Sequence, residues 1–357
     1  MGGQKGIAFF YRYFGKLANV TCVTTKGNDK SCAENYELLD ILSKSRLRYG
    51  NIFYFFVLKK IIKKRQITHL IIEHPYYGWL GILLQQFCRV KLVVHSHNIE
   101  ALRFKSTGKW WWKILWYYER SVHRRANHNF FIHDDDKAYA IEKFKLESGK
   151  CTTITYGFEL STPPSIEERC NARKKIGDQY AIDKNKSLLL FNGTLNYKPN
   201  LDAIDVILHQ INPVLLNSNF NYTIIICGKN LPASYDELKA YKDKNIVFAG
   251  FVDDIDIFFK AADIFINPVI EGGGIKTKLV EALGYNMSVV TTRSGAIGVP
   301  ETITGKKMFI AGDTAWADFA KAIAEANTSA SIPASFFDHF YWGNIAAKAA
   351  TVLAITS

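Results

Sequence analysis

One glycine-rich stretch most constrains what this chain can fold into. It runs from Glu271 to Gly284 and has the sequence EGGGIKTKLVEALG. An apolar run precedes it and residues 288–292 follow, four of them β-branched, so the pattern predicts a strand, a glycine loop, a short helix and a second strand. Glycine amides at the start of a helix form an anion site, because the helix dipole is positive there and no Cβ blocks the approach.

The charged side chains of this stretch suit a nucleotide. Lys276 and Lys278 add positive charge beside the glycine amides. Glu281 follows Lys278 by three residues, so on a helix the carboxylate reaches hydroxyls while the ammonium reaches phosphate. The alternative is a flexible loop followed by a solvated Lys–Glu pair. The spacing matches neither the dinucleotide fingerprint G-x-G-x-x-G nor the phosphate-binding loop that ends in G-K-[ST].

The longer segment GGGIKTKLVEALGYNMSVVTT resembles the donor-binding segment of retaining glycosyltransferases with the B-type fold, in particular glycosyltransferase family 4 of the bacterial surface-polysaccharide type. The resemblance implies an α/β chain with two Rossmann-like domains that face each other across a cleft. In the family two glutamates stand eight residues apart, whereas Glu271 and Glu281 are ten apart. The implied donor-binding residues here are Glu271, Gly273, Gly274, Ile275, Lys276, Thr277, Lys278 and Glu281.

The resemblance extends over the second half of the chain. A predicted strand at 188–192 leads into a turn where Thr194 replaces the usual arginine and Lys198 stands at a lysine position. The run at 247–255 resembles the family segment that contacts the base of the nucleotide. A packed strand followed by a helix cap explains the run equally well. The further donor-binding residues that the resemblance implies are Gly193, Thr194, Lys198, Gly228, Lys229, Phe251 and Val252.

Two strand ends in the first half carry histidines. The run VVHSHNIE resembles the family's strand end whose histidine contacts the donor sugar, which implies His97 as the catalytic residue with Asn98 beside it. A structural histidine that bonds a neighbouring loop remains the alternative. We expect His95 and His97 to point to opposite faces of the strand, so that at most one of them faces the cleft. His74 follows the predicted strand 69–73 and should line the same cleft.

The chain begins with a glycine-rich segment, residues 1–6, which predicts a loop before a helix at 7–17. In the family a strand precedes this loop and its glycines approach the acceptor, which implies Gly2 and Gly3, with His74 and Asn98, as acceptor-binding residues. The family's first strand is missing here, and a shortened start is the favoured explanation. The predicted domains are an acceptor domain, a donor domain and a final helix that crosses back to the first domain, at 1–160, 161–335 and 336–357.

The charge distribution predicts an anionic partner for the first domain. Residues 1–150 contain 26 basic and 12 acidic residues, whereas the remainder contains 19 and 21. No helix-turn-helix, zinc knuckle or RNA-binding aromatic motif is evident, which favours an anionic membrane surface over nucleic acid. The basic, aromatic stretches 51–65 and 109–125 could be helices at a lipid boundary or ordinary amphipathic helices, and both interpretations stay open.

Length and composition indicate the compartment. A chain of 357 residues with 48% hydrophobic content is sufficient for two domains, and no apolar run reaches the roughly 18 residues of a membrane span. Six scattered cysteines and the lack of a signal-peptide pattern predict a cytoplasmic protein, and the basic first domain predicts a peripheral position on the cytoplasmic face of the inner membrane. Without ligand-like spacing of histidine and cysteine we expect no metal and no cofactor.

Together these observations predict an enzyme. The resemblance implies transfer of a sugar from a UDP or GDP sugar to a lipid-linked or polysaccharide acceptor, with retention of configuration, in lipopolysaccharide or capsule synthesis. Lysines and amides would stabilise the leaving diphosphate without a metal. The alternatives are a non-catalytic subunit that binds a nucleotide sugar beside a membrane transferase, and a nucleotide-sugar epimerase of the same fold.

Overall fold

The computed structural model describes residues 2–28, 30, 33–271, 274–326 and 328–355. The chain forms two compact units. The first comprises residues 1–157 with 342–357, and the second comprises residues 158–341. Each unit has its own parallel sheet and its own core, as expected for two Rossmann-like domains.

None of the helices within the described residues combines the length and the apolar character that a membrane crossing requires.

The first unit alternates helices and strands along the chain. Its elements up to residue 157 are α1 (Gly2–Phe14), β1 (Thr21–Thr25), β2 (Glu37–Leu42), α2 (Phe53–Lys64), β3 (His69–Glu73), α3 (Gly78–Cys88), β4 (Lys91–Ser96), α4 (Glu100–Ser106), α5 (Trp112–Arg125), β5 (His128–Phe131), α6 (Asp134–Phe144) and β6 (Cys151–Thr153).

The main sheet of this unit has the order β3-β4-β5-β6, and every pair is parallel. β1 and β2 form a separate parallel pair. In β4 the side chains of Leu92, Val93 and Val94 are completely buried, as expected for an inner strand covered on both faces. On one face α3 meets α5 so closely that a Cβ on Gly78 would lie 2.2 Å from the Val122 side chain.

The start of the chain differs from the prediction. The segment 1–6 was predicted as a glycine loop, but α1 begins at Gly2 and continues to Phe14. Phe10 and Phe14 stack at 5.4 Å and are buried, so an apolar stripe with helical spacing holds this segment in the unit. Glycine lowers helix propensity without preventing a helix that packing stabilises.

The second unit repeats the α/β alternation. Its elements are α7 (Ile166–Tyr180), β7 (Ser187–Thr194), α8 (Lys198–Val206), α9 (Asn212–Leu216), β8 (Tyr222–Lys229), β9 (Ile246–Gly250), α10 (Asp256–Ala261), β10 (Ile264–Asn267), α11 (Thr277–Gly284), β11 (Ser288–Thr292), β12 (Met308–Ala311), α12 (Trp316–Glu325) and α13 (Ala334–Phe340).

Its six strands are parallel and have the order β12-β11-β10-β7-β8-β9. The inner strands β7 and β8 contribute nearly continuous buried runs, residues 188–191 and 222–227. Such runs arise because helices cover both faces of a parallel sheet. Strand order reverses between β7 and β10, so the chain builds one half of the sheet outward from β7 and the other outward from β10.

The end of the chain is two helices where the sequence predicted one. α13 ends at Phe340 in the second unit, and α14 (Trp342–Val352) belongs to the first. Tyr341 between them has an extended backbone and forms a parallel bridge with Phe158. The Phe158 N–H also donates to the Phe340 carbonyl at 2.6 Å. The pairing of two extended segments ends the helix at this point, so residues 336–341 of the predicted final helix lie in the second unit.

Candidate functional site

The reversal of strand order marks the candidate donor site of the second unit. In open α/β sheets, ligands bind beyond the carboxyl ends of the strands where the order reverses. Here those ends are Thr194 of β7 and Asn267 of β10. The loop after β10 leads to α11, which contains Lys278 and is preceded by Lys276.

Two glycines keep the carboxyl end of β7 free of side chains. Gly193 pairs with Gly228 of β8 in the parallel register. A Cβ on Gly228 would lie 2.0 Å from the Gly193 carbonyl oxygen, and a Cβ on Gly193 would lie 2.7 Å from the Lys278 ammonium. Position 228 therefore requires glycine, because backbone occupies the space, whereas a side chain at position 193 would have to displace the flexible end of Lys278.

Lys278 connects α11 to the end of β7. Its Nζ donates a hydrogen bond to the Asn192 carbonyl. Burial of the ammonium lowers the pKa of Lys278 to about 8, although the nearby Glu281 carboxylate opposes the shift. The second unit therefore holds a partly desolvated lysine at the point where strand order reverses.

The rest of the predicted glycine segment surrounds the start of α11. Lys276 precedes the helix, and its Nζ donates to the Gly274 carbonyl at 3.2 Å. A Cβ on Gly298 would lie 3.0 Å from the Ile275 Cβ, so another loop packs against the segment. Thr277 is the first residue of α11. Gly273, predicted to bind the donor, lies outside the described residues.

Other predicted donor residues lie at neighbouring strand ends. Lys198 begins α8, where its Nζ lies 2.5 Å from Asp202 and 4.0 Å from Glu271. Exposed Lys229 ends β8, next to Thr194 in the register. The remaining two follow β9, which is not adjacent to β7 in the sheet: they are Phe251, which is 66% exposed, and Val252.

A carboxylate–histidine cluster lies at the carboxyl ends of β3 and β4 in the main sheet of the first unit. Glu73 ends β3 and lies opposite His95 of β4 in the register. Its Oε2 accepts a hydrogen bond from His97 Nε2 at 2.6 Å, and its Oε1 lies 3.2 Å from His95 Nδ1. Oε1 also accepts from the Tyr11 hydroxyl at 2.6 Å. Burial opposes ionisation, but the two imidazoles hold the pKa of Glu73 well below its usual range.

The prediction that His95 and His97 point to opposite faces is wrong. Residues two apart in an extended segment project to the same face, and His97 directly follows β4, which ends at Ser96. The two rings are 4.7 Å apart and contact the same carboxylate.

His74 lies on the other side of His97, with their rings 4.7 Å apart. Its Nδ1 is 3.2 Å from Oε1 of Glu100, whose carboxylate also accepts hydrogen bonds from Tyr76 and Arg103. Burial opposes ionisation, but these three neighbours lower the pKa of Glu100 to about 2. The backbone of His74 has φ 65°, a left-handed conformation that is uncommon outside glycine and occurs often at functional sites.

The other predicted acceptor residues are Asn98, Gly2 and Gly3. Asn98 follows His97, and its carbonyl accepts a hydrogen bond from the Ser96 hydroxyl at 2.7 Å. Gly2 and Gly3 form the first turn of α1. The structure therefore brings His74, His97 and Asn98 to one end of the sheet.

The carboxylates that hold these histidines were not predicted from the sequence. Glu73 ends a predicted strand and Glu100 follows the histidine motif directly, so both were visible as acidic residues beside candidate site residues. The strand register that sets Glu73 opposite His95 could not be predicted from the sequence.

The same cluster is the group best suited to a metal ion among the described residues. Glu73, His95 and His97 each offer one ligand atom, and these atoms lie within 4.8 Å of one another. From the sequence we expected no metal. The short His97–Glu73 distance of 2.6 Å is that of a charge-assisted hydrogen bond, which accounts for the arrangement without an ion.

The two basic, aromatic stretches of the first unit differ in exposure. In α5 the side chains of Glu119, Val122 and His123 are buried, and Trp116 donates to the Tyr139 hydroxyl, so this face is core. In α2 one face is buried through Tyr54 and Ile62. The opposite face of α2 exposes an apolar group and then a basic group, namely Phe53, Phe56, Val57, Lys60, Lys63 and Lys64.

Comparison with known families gives one match in each half of the chain. Residues 2–162 match the model described as Glycosyltransferase Family 4. Residues 186–328 match the model described as Glycosyl transferases group 1.

One curated relative is an uncharacterised 44.6 kDa protein in the cps region of Klebsiella pneumoniae. It is 28% identical over 138 residues. The match covers 37% of this chain and 35% of that protein, so the chain spans only about a third of the relative.

Solved structures resemble nearly the whole chain. A glycosyltransferase from Rickettsia africae has a TM-score of 0.70 at 15% identity, covering 99% of this chain and 95% of its own. Anabaena HepE in complex with UDP has a TM-score of 0.70 at 16% identity, covering 99% and 96%. The lipopolysaccharide outer core galactosyltransferase WaaB has a TM-score of 0.65 at 10% identity, with coverage of 99% and 96%.

The structural neighbours show a GT-B fold with two Rossmann-like domains, and the family matches show a Glycosyltransferase Family 4 domain in the first half of this chain and a Glycosyl transferases group 1 domain in the second.

Proposed function

We propose that the protein transfers a sugar from a UDP or GDP sugar to a lipid-linked or polysaccharide acceptor. The observation that carries this proposal is Lys278, whose ammonium lies against the end of β7 where strand order reverses. The departing diphosphate gains negative charge in the transition state. Ammonium groups held at the start of α11 stabilise that charge without reorganisation.

Two features of the chemistry belong to the same proposal. Lys276 and Lys278 supply the positive charge that a divalent metal supplies in other transferases, so the reaction proceeds without a metal. The anomeric configuration is retained, a feature that rests on the resemblance of Glu271–Gly284 to the donor segment of retaining transferases. His97 contacts the sugar near the reacting carbon.

The neighbours support a role in cell-surface polysaccharide synthesis. HepE is seen with UDP and with UDP-glucose, WaaB is a lipopolysaccharide galactosyltransferase, and the Klebsiella relative belongs to a cps region. These descriptions favour a nucleotide-sugar donor and a lipopolysaccharide or capsule acceptor.

An acceptor carried on a lipid requires the enzyme to work at a membrane surface. The exposed face of α2 suits this purpose, because phenylalanines enter the boundary of the acyl chains while lysines meet anionic headgroups. We propose that the protein binds the cytoplasmic face of the membrane peripherally through this face.

Nucleotide binding tests the donor site. We expect UDP or GDP to raise the midpoint of thermal unfolding, since a ligand that binds only the folded state stabilises it. Lys276→Ala or Lys278→Ala should weaken binding of that nucleotide by about 1–3 kcal/mol, the range for a lost charge-assisted contact. Lys321→Ala is the control, because this exposed lysine pairs only weakly with Glu325 at 3.9 Å.

Product analysis tests the reaction. Incubation of the active donor with a lipid-linked acceptor should yield a glycoside whose anomeric configuration, read by NMR, matches the donor, and EDTA should leave the rate unchanged. Unaltered nucleotide affinity in the Lys276→Ala, Lys278→Ala double variant would refute the donor site. Binding without turnover would favour the non-catalytic subunit, and a donor with an inverted sugar centre would favour the epimerase.

A further inference from the structure

The Glu73 carboxylate connects three side chains of the first unit. It accepts hydrogen bonds from His97 Nε2 and from the Tyr11 hydroxyl, each at 2.6 Å, and it lies 3.2 Å from His95 Nδ1. These partners come from three elements, since Tyr11 belongs to α1, His95 to β4, and His97 to the segment after β4. The proposed reaction, as described above, assigns no role to Glu73.

The proton positions follow from the chemistry of the groups. An ionised carboxylate only accepts hydrogen bonds, so the nitrogen that faces it must carry a proton. In His97 that nitrogen is Nε2, and a neutral His97 therefore has its lone pair on Nδ1. Among the described residues Nδ1 has no hydrogen-bond partner, and the side chain is 14% exposed. Nδ1 is thus the atom that remains for a ligand.

The carboxylate itself has little freedom to turn. Tyr11 is only 8% exposed and bonds Oε1, while the His97 ring bonds Oε2, so each oxygen is held by a different neighbour. His95 is 2% exposed and lies in the strand beside Glu73. A carboxylate fixed at both oxygens also fixes the plane of the imidazole that donates to it.

We propose that Glu73 is a positioning residue for His97. Its carboxylate holds His97 in the tautomer with the proton on Nε2 and orients the ring, so that Nδ1 accepts a hydrogen bond from a hydroxyl of the transferred sugar. This inference rests on the proposed function, since it specifies how the sugar contact of His97 works. Glu73 touches no substrate itself. It acts through His97, as carboxylates behind metal-bound histidines orient those rings.

The substitution Glu73→Gln tests the role. A glutamine side chain keeps the size of glutamate, but its amide accepts through one terminal atom and donates through the other, so it cannot accept from both Tyr11 and His97 as the carboxylate does. We expect kcat to fall roughly 10- to 100-fold, the usual effect of removing such a partner, with KM for the donor changed less than about twofold. Glu142→Gln, a matched change at an exposed carboxylate of α6, should alter neither constant.

A spectroscopic readout separates positioning from general damage. In protein with ¹⁵N-labelled histidine, the His97 resonances should indicate the Nε2–H tautomer in the wild type and a mixture of both tautomers in Glu73→Gln. The His97→Asn variant assigns the signals. Should Glu73→Gln fail to fold, Tyr11→Phe removes one hydrogen bond from the same carboxylate and should produce a smaller change in the same direction.

Two results would overturn the proposal: a wild-type His97 with its proton on Nδ1, or a folded Glu73→Gln variant with an unchanged tautomer and unchanged kcat. The tautomer measurement needs no substrate. If the wild type transfers no sugar from any donor, the proposed function fails, while the NMR result still decides whether Glu73 sets the state of His97.

Discussion

Lys278 contributes both to the packing of the second unit and to its proposed chemistry. Its ammonium bonds the backbone of β7 and lies 2.7 Å from where a Cβ at position 193 would stand. Burial lowers its pKa to about 8, so near neutral pH it is charged in a place where charge is poorly solvated. An anionic ligand would relieve that cost, because it restores the interactions that the ammonium lost with water.

Nucleotide affinity should therefore depend on pH through Lys278. A diphosphate favours the protonated lysine. Below pH 8 the lysine is already protonated and the affinity should be flat, whereas above pH 8 binding requires proton uptake and Kd should rise by up to about tenfold per pH unit. In Lys278→Arg the guanidinium stays protonated, so Kd should change little between pH 7 and pH 9.

Isothermal titration calorimetry in two buffers of different ionisation enthalpy measures both the affinity and the proton uptake. An equal rise of Kd in the wild type and in Lys278→Arg would assign the pH dependence to another group.

At the scale of elements, a side chain of α5 caps the N-terminus of α4. The backbone N–H groups of Glu100 and Ala101, at the start of α4, donate to the two carboxylate oxygens of Glu119 at 3.0 and 2.9 Å. Glu119 lies in α5 and is completely buried. The first N–H groups of a helix have no partner within it, so α5 supplies the cap that α4 lacks in its own sequence. Because Glu100 also contacts His74, this cap supports the end of the sheet where the histidines lie.

Removal of the cap should destabilise the first unit. Glu119→Ala leaves two buried N–H groups without acceptors, and we expect the free energy of unfolding to fall by about 2–4 kcal/mol. Glu119→Gln keeps one acceptor oxygen and should lose less. Urea unfolding monitored by circular dichroism measures the difference, with Glu142→Ala as the exposed control, expected within about 0.5 kcal/mol of the wild type. Equal stability of Glu119→Ala and Glu142→Ala would contradict this account.

At the scale of the whole molecule, the basic charge and the exposed apolar residues coincide in the first unit. Residues 1–150 hold the excess of basic residues, and the exposed face of α2 adds Phe53 and Phe56, which are 71% and 64% exposed. An anionic lipid surface would attract the basic residues and bury the phenylalanines. Nucleic acid would attract the basic residues but leave the phenylalanines in water.

Vesicle binding tests this assignment. The protein should sediment with vesicles that contain anionic lipid and be released as salt rises, because screening weakens the contribution of the lysines. Phe53→Ala with Phe56→Ala should reduce binding at low salt by removing apolar contact area. Ile166→Ala, at an 83% exposed apolar residue of the second unit, is the control. Sedimentation unaffected by the phenylalanine changes would leave α2 without a membrane role.

Local patterns were sufficient to predict much of the second unit. The apolar runs of β7 and β8 and the glycine segment before α11 were recognised from residue spacing, because a buried parallel strand and a short helix each have a local signal. The spacing of Lys278 and Glu281 on one helix is equally local. Local patterns misjudged the start of α1 and the single final helix, where packing of Phe10 and Phe14 and the pairing of Tyr341 with Phe158 prevailed.

The sequence by itself determined the α/β class, the glycosyltransferase resemblance and the candidates Lys278 and His97, since each depends on residues close together in the chain. Only the tertiary structure decided that Glu73 holds both His95 and His97, that Glu119 caps α4, and that Lys278 reaches the end of β7. These contacts join residues 18 to 86 positions apart. Such contacts depend on strand register and helix packing, which no short run of residues encodes.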